Sequence, residues 1–399
     1  MWRTVKLGDL CDISIGKTPS RGDKRFWDKE KQTDNVWLSI ADLTSVSGKY
    51  ISDSKEYVSD EGANLFKPVP SNTLVMSFKL SIGRLAFTQC ELRTNEAIAA
   101  LPIKDESIVS KEFLYHYLSS MDWNAIASND EKVKGKTLNK KKLNALEVVL
   151  PPLPEQQRIV AKLDAAFAEI DRAIDVAESK YTEVEKLKAA LLASALNGED
   201  WKKLKLGDVC KIVNGSTPLR KESKFWADGD VPWFTIDDMR LQGRDIFSTA
   251  QHVTQAAVEE KKVKLIPENS VLLCCTASIG EAAIARKEMA TNQQFNALTP
   301  LRDELSCEYL YYITTTLKKQ LMRVSGSTTI SFVSMGKLRE IEIPLPPLSE
   351  QQRIVAKLDA AFAEIDKSAE SISEARASYL ALKSAILAQE LQPPESKAA

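Results

Sequence analysis

The stretch LPPLPEQQRIVAKLDAAFAEID at residues 150–171 returns as LPPLSEQQRIVAKLDAAFAEID at residues 345–366. Of 22 positions only Pro154 and Ser349 differ, and the offset of 195 residues is about half of the 399-residue chain. A repeat on that spacing means two copies of one structural unit. Weaker matches extend outward from it. Trp2, Lys6 to Asp9, Cys11, Gly16, Thr18-Pro19, Arg21 and Phe26-Trp27 recur as Trp201, Lys205 to Asp208, Cys210, Gly215, Thr217-Pro218, Arg220 and Phe225-Trp226. Trp37, Ser81-Ile82-Gly83 and Thr94-Asn95 recur as Trp233, Ser278-Ile279-Gly280 and Thr291-Asn292. Each unit is a globular domain followed by a helix. The helix copies are almost the same, whereas the globular copies share only a skeleton. Helices that meet each other, or one partner twice, would keep this pattern, with domains that meet two different targets. A recent recombination that made the helix segments uniform would leave it too.

The helical segments, residues 150–200 and 345–399, carry apolar residues in alternating steps of three and four, the period of a coiled coil. The first seam runs through Val160, Leu163, Phe167, Ile170, Ile174, Ala177, Tyr181, Val184 and Leu191; the second through Val355, Leu358, Phe362, Ile365, Ala369, Ile372, Tyr379 and Ile386. Lys188, Arg376 and Lys383 interrupt them. Pro151 and Pro152 require an extended entry. Ser349 with Gln352 fits a capping box, and Asn197-Gly198 fits a helix end. The helices are predicted over 155–197 and 350–390; the 37 residues from Val160 to Leu196 alone span roughly 55 Å at 1.5 Å per residue. A pseudo-two-fold axis is the simplest closed arrangement of two like units. It pairs the helices antiparallel, with Leu163, Phe167, Ile170 and Ile174 on the first and Leu358, Phe362, Ile365 and Ile372 on the second as the pairing residues. A bundle with no spacing role is the alternative.

The globular segments, residues 1–149 and 201–344, read as mixed α+β. Leu74 to Phe78 and Val271 to Cys275 are β-type runs, and Phe113 to Leu118 and Tyr309 to Ile313 are helical. Three loops in each are candidates for binding nucleic acid. Gly16-Lys17-Thr18-Pro19-Ser20-Arg21 matches Gly215-Ser216-Thr217-Pro218-Leu219-Arg220, so Lys17, Thr18 and Arg21 correspond to Ser216, Thr217 and Arg220. Arginine suits paired bonds to guanine; Thr-Pro and Gly also serve as turn scaffolding. Lys79 to Arg84 matches Thr276 to Glu281 around the fixed Ser-Ile-Gly, which makes Lys79, Arg84, Thr276 and Ser278 candidates. The most basic stretch, residues 132–142, holds six lysines in eleven residues. Lys134, Lys136, Thr137, Asn139 and Lys140 could lie along phosphates, as could Ser325, Ser327, Thr328 and Ser331 in the second copy. A solvated loop has the same composition. The recurring Phe26-Trp27 and Trp37 are read as core rather than as base-stacking platforms.

Composition narrows the function classes. Net charge is −1, mild evidence against nucleic-acid binding, although a neutral total can hide a basic stripe. Six scattered cysteines without a C-x-x-C pair, and two histidines, offer no zinc-ligand spacing. Together with an N-terminus lacking an apolar leader they point to a reducing cytoplasm, and no apolar run reaches 18 residues. Gly16-Lys17-Thr18 ends like a P-loop, but the first glycine of that motif falls on Cys11. Amino-methyltransferase, nuclease and nucleophile-elbow motifs are missing. A binding module, not an enzyme, is expected.

The Leu-Pro-Pro-Leu-x-Glu-Gln-Gln-Arg-Ile-Val segment closing each half resembles the specificity subunits of type I restriction–modification systems. So do Gly215 to Arg220 with Phe225-Trp226 and Val231-Pro232-Trp233-Phe234, and the closing Ile341-Glu342-Ile343-Pro344-Leu345. The resemblance covers essentially the whole chain. It implies two α+β target-recognition domains separated by two long antiparallel coiled-coil helices. Each domain would read one half of an asymmetric, gapped site in double-stranded DNA, and the helices would set the gap and dock modification (methyltransferase) subunits, two of them. Restriction subunits could join. S-adenosylmethionine, ATP and Mg are expected on those partners, and no cofactor on this chain. Base-contacting residues in the family vary with target, so none is carried over. The rival reading is a scaffold with two ligand-binding domains on a coiled-coil rod, which leaves the lysine cluster unexplained. A third differs only in partner, a fused methyltransferase–nuclease.

Overall fold

The computed structural model describes residues 1–393 except 47, 128–130, 133–134, 137, 199 and 326–331, and of 131–132 and 135–136 the backbone alone. The chain forms two compact units, Met1–Ala177 with Glu374–Ala399, and Glu178–Ser373.

In the first unit a five-stranded sheet has the order Ser14–Ile15, Ile98–Leu101, Leu74–Ser77, Leu85–Thr88, Tyr50–Ile51. Neighbours are antiparallel except Tyr50–Ile51, which runs parallel to Leu85–Thr88. Leu74–Ser77 and Ile98–Leu101 are buried at every position, because the sheet is covered on both faces. Side chains alternate between the faces of a strand. Leu74, Met76, Ala99 and Leu101 therefore join one cluster, with Phe113, Leu114 and Leu118 of helix Lys111–Ser119. Val75, Ile98 and Ala100 join another, with Val36, Leu38 and Leu43. Strands Glu56–Tyr57, Val36–Leu38 and Arg93–Thr94 make a second sheet, and Arg3–Lys6 pairs with Glu147–Leu150.

The second unit repeats this order. Its five-stranded sheet runs Cys210–Asn214, Phe295–Pro300, Ser270–Cys274, Ala282–Ala285, Asp245–Ile246, beside a sheet of Gln251–Val253, Val231–Phe234 and Ala290–Thr291. The expected strand and helix runs are all present, the helices being Lys111–Ser119 and Cys307–Thr316. Among the described residues no helix is long and apolar enough to cross a membrane.

The two long helices are Leu153–Ala195 and Leu348–Glu390, 43 residues each. The second starts at Leu348, so Ser349 lies inside the first turn and the expected capping box does not form. Helix entry is instead organised by a buried glutamine. Gln156 accepts from the Ser110 amide (2.9 Å) and donates to the carbonyls of Ile108 (2.9 Å) and Pro151 (2.8 Å). Gln351 does the same for Ser306 (3.0 Å), Glu304 (2.7 Å) and Pro346 (2.9 Å). Both side chains are fully buried. Ser110 and Ser306 cap the helices Lys111–Ser119 and Cys307–Thr316. One glutamine thus fixes the end of a domain helix and the proline entry of a long helix together, which gives the repeated Pro-Pro-x-x-Glu-Gln a structural reason.

Leu163, Phe167 and Ile170, with Ile159, are buried in the cluster of the first domain, and Ile174 packs against its rim. Leu358 and Ile354 are buried in the cluster of the second domain, with Phe362 half-buried against it; Ile365 is buried and Ile372 half-buried. The apolar seam thus serves helix-to-domain packing as well as helix pairing. A fully buried side chain of this kind contributes roughly 1.5–3 kcal/mol as an upper bound, against about 0–1 kcal/mol for an exposed ion pair. Packing therefore holds each joint.

Helix pairing is seen inside each unit. In the first, Lys162 pairs with Glu390 and Asp171 with Lys383. As one helix advances the other retreats, so the two are antiparallel. The interrupting lysines have a use: Lys383 lies over the Phe167 ring and pairs with Asp171, and in the second unit Lys188 lies over Phe362 and pairs with Asp366.

A polar cluster closes each joint. In the first unit Asp164 receives Lys49 and His116, the latter at 2.9 Å. In the second, Asp359 receives Arg244 at 2.6 Å and the Tyr312 hydroxyl. Burial, reinforced by Lys49, holds the His116 pKa below its usual 6.5 against the opposing pull of Asp164. The ring is neutral, and a proton on Nε2 suits Asp164. Burial works against the charge of Asp164, but bonds from Lys49 and His116 outweigh it and hold its pKa low.

Candidate nucleic-acid interface

Two candidate loops of the first domain meet around one short segment, Thr94-Asn95-Glu96-Ala97, and Leu138, at the end of the third, is tied to them through Phe78. The Lys17 amide donates to the Thr94 carbonyl at 2.9 Å, and the Thr18 hydroxyl donates to the Glu96 carboxylate. The Phe78 amide donates to the Ala97 carbonyl (2.9 Å), and the Phe78 carbonyl accepts from the Leu138 amide (3.0 Å). This backbone hub therefore holds the loops beginning at Lys17 and Lys79, and Leu138 joins them through the Phe78 carbonyl. In the second domain Thr291-Asn292-Gln293-Gln294 does the same work. Ser216 donates its amide to Thr291 (2.8 Å), Thr217 its hydroxyl to Gln293, and Cys275 its amide to Gln294 (2.8 Å). The Cys275 carbonyl accepts from Val333 (3.0 Å), and Thr276 bridges Phe332.

Each hub is an Asx turn, in which Asn95 and Asn292 accept from the amides of Ala97 (3.0 Å) and Gln294 (2.9 Å). Gly16 and Gly215 let the first loop lie against it. A Cβ on Gly16 would sit 1.9 Å from the Thr94 carbonyl oxygen, and one on Gly215 2.1 Å from that of Asn292. Sequence reading noted the recurrence of Thr94-Asn95 but gave it no role. Its role runs through backbone carbonyls, which residue type does not reveal.

Arg21 is exposed, lies over the rings of Trp27 and Trp37, and gives its guanidinium fork to Glu56. Arg220 lies in the same way over Trp226 and Trp233. Trp37 and Trp233 are buried, as expected of core; Trp27 and Trp226 are half-buried and carry the arginines. The Thr18 hydroxyl bond, with Lys79 and Arg21 nearby, holds Glu96 below the usual carboxylate range. Carboxylate and cations thus coexist as charges at neutral pH.

The other candidates fall as follows. Lys17, Arg84 and Lys140 are exposed, and Lys79 is half-buried beside the Phe78 ring. Asn139 caps helix Lys140–Ala145 by accepting from the Lys142 amide (2.9 Å). The Ser216 hydroxyl donates to Lys262 O (2.6 Å) and that of Ser325 to Met322 O (2.8 Å). The Thr276 hydroxyl is buried without a partner among the described residues, and Ser278 is half-buried. Lys134, Thr137, Ser327, Thr328 and Ser331 lie outside the described residues. Lys136 is described by its backbone, in a hairpin pairing Glu131–Lys132 with Gly135–Lys136. At the loop tips Leu80 and Ala277 take positive φ (61° and 53°), and Leu80 is 65% exposed.

Among the described residues no three His, Cys, Asp or Glu side chains gather as a metal-binding group. Burial pushes the Cys11 and Cys210 thiols up to about 12, so neither supplies a thiolate at neutral pH.

Comparison with known proteins places this architecture. The family model for the type I restriction modification DNA specificity domain matches residues 1–185 and again 198–375. The MjaIX specificity subunit of a type I restriction enzyme from Methanocaldococcus jannaschii is 36% identical over 163 residues, 40% of this chain and 37% of that protein. The EcoR124I/EcoR124II specificity subunit from Escherichia coli is 25% identical over 270 residues, 64% of each. The chain thus spans about a third to two thirds of the length of these relatives. A solved structure described as the structural basis underlying complex assembly and conformational transition of the type I R-M system shares the fold. Its TM-score is 0.74 at 22% identity, over 98% of this chain and 97% of that one.

Proposed function

This chain belongs to the family of type I restriction modification DNA specificity domains, and from that premise we propose that it is the sequence-reading subunit of a methyltransferase complex. Each globular domain reads one half of a two-part site in double-stranded DNA, through the loops near 17–21, 79–84 and 134–140 and those near 216–220, 276–281 and 325–331. One observation carries this reading. Both domains hold two loops on the same backbone hub while the side chains differ: Lys17 against Ser216 and Lys79 against Thr276 on the loops, and Glu96 against Gln293 on the hub itself. A fixed frame with exchanged side chains suits direct readout, in which each base pair offers its own donor and acceptor pattern.

The helices set the gap between half-sites and dock methyltransferase subunits, one per repeat. Catalysis, S-adenosylmethionine, ATP and Mg reside on partner subunits, and a restriction subunit can join. Burial of the Cys11 and Cys210 thiols speaks against either acting as a nucleophile. Because partners supply much of the phosphate neutralisation, a net charge of −1 is compatible with the role. The protein acts in the cytoplasm, where its DNA is.

The test is adenine-methylation mapping of a genome in cells expressing this chain with the methyltransferase encoded beside it, with and without residues 201–344. A gapped two-part motif that changes or becomes palindromic when the second domain is lost is expected. Methylation that is the same with and without the chain refutes the proposal.

A further inference from the structure

Both domains carry the same cation on the same aromatic shelf but face it with different groups. The Arg220 guanidinium carbon lies 3.9 Å from the Trp226 ring centre and 4.8 Å from that of Trp233, and these rings meet edge to face at 5.1 Å. Arg21 lies 4.2 Å from Trp27 and 4.9 Å from Trp37, again at a 5.1 Å edge-to-face pair. All four indole N–H groups are tied to loop carbonyls: Trp27 to Ser20 and Trp37 to Lys17, Trp226 to Leu219 and Trp233 to Ser216. The shelf is therefore fixed, and each arginine has one face covered.

The edge of the guanidinium is where the copies part. Strand register sets Glu56 opposite Trp37 and Gln251 opposite Trp233. Glu56 takes the Arg21 fork with both carboxylate oxygens. Among the described residues Arg220 has no hydrogen-bond or ion-pair partner, and no described residue bonds the Gln251 side chain. A second acid-to-amide exchange stands close by, since Thr18 donates to Glu96 where Thr217 donates to Gln293.

A stacked guanidinium keeps its planar set of N–H donors, and these suit a pair of acceptors in that plane: a carboxylate, a phosphate, or guanine O6 and N7. Glu56 supplies such a pair from within the protein. Both members of that ion pair are more than a third exposed, so its worth to stability is small; its effect is to occupy the donors. We infer that the residue facing the arginine–tryptophan shelf is a specificity-determining position: Gln251 leaves Arg220 open to paired acceptors of DNA, and Glu56 closes Arg21 to them. The inference rests on the DNA-reading role proposed above and deepens it. Two half-sites diverge from one skeleton by exchanging a carboxylate for an amide at a single register position.

The test uses the full chain with its methyltransferase partner and compares wild type with Arg220→Met, Gln251→Glu, Arg21→Met and Glu56→Gln, each checked for an unchanged melting temperature. Arg220→Met and Gln251→Glu are expected to lower methylation by about tenfold or more, or to relax one position of the second half-site. Arg21→Met is expected to change the first half-site less than Arg220→Met changes the second, and Glu56→Gln to alter it. On a duplex carrying the mapped motif, a guanine contact shows as one relaxed base. A phosphate contact instead keeps base preference and lowers the salt slope by about one; either result supports an open Arg220. The inference is overturned if Arg220→Met and Gln251→Glu behave as wild type, or if Arg21→Met acts as strongly as Arg220→Met. A wild-type protein that yields no two-part motif removes the DNA-reading role itself, a result visible before any variant is compared.

Discussion

Replacing Gln156 by leucine keeps the volume of the side chain and removes all of its hydrogen bonds. The Ser110 amide and the carbonyls of Ile108 and Pro151 then lose their partner around a side chain with no exposed surface. A buried polar group left unsatisfied costs about 1–3 kcal/mol; the Pro151 carbonyl is buried, whereas Ser110 is half-buried and Ile108 exposed, so the loss is about 1.5–3 kcal/mol. Since about 1.4 kcal/mol is a factor of ten, the Ser110 amide should exchange its hydrogen about tenfold faster or more. Hydrogen exchange read on residues 105–120 measures this directly. Gln157 is exposed beside it, and its replacement by leucine should stay within about 0.5 kcal/mol of wild type. Gln351→Leu should repeat the effect at Ser306 in the second unit and leave Ser110 alone. Unchanged protection at Ser110 in Gln156→Leu would falsify the claim that this glutamine fastens domain to helix.

Three further outcomes follow from the geometry. His116 is held neutral when folded, so the unfolded chain binds more protons below pH 6.5 and stability falls as pH drops through that value; the contribution of Asp164 is lost only at still lower pH. The first unit should lose stability between pH 7 and 5 in urea titrations, and His116→Tyr, which copies Tyr312, should abolish that slope. Gly16→Ala and Gly215→Ala drive a methyl group into a backbone carbonyl, at a cost of about 1–3 kcal/mol, and should each erase methylation specificity at one half-site while circular dichroism stays native. Lys383→Met should cost less than about 1.5 kcal/mol in thermal unfolding, because its ion pair with Asp171 is half exposed and its ring contact adds about 0.5–1 kcal/mol.

The architecture was legible because repetition and periodicity are properties of residue type. The 22-residue repeat, the seam from Leu163 to Ile174 and the apolar runs at Leu74 and Val271 each announce an element and its partner. The interface was legible only as loops. That Thr94 and Thr291 gather those loops could not be read, because the carbonyls that do so belong to every residue alike. Gln156 carries no mark of its role in the sequence, since its value depends on three backbone groups that only folding brings together. Glu56 is distant from Arg21 in sequence and meets it through strand register, as Gln251 comes opposite the Trp233 that carries Arg220, and a one-residue slip would reverse either. Ser349 misled for the opposite reason. A good capping residue does not cap when the chain has already turned helical at Leu348.

The partition of the long helices sets an order on synthesis. Lys162 meets Glu390 across 228 residues of chain, and the first unit includes the segment from Glu374 onward. The domain made first on the ribosome is therefore completed last, and until then the Phe167 face lacks the side chains of Tyr379, Lys383 and Ile386. A frameshift or nonsense codon shortly before Glu374 would injure the domain at the far end of the message while sparing the contacts of its nearer neighbour.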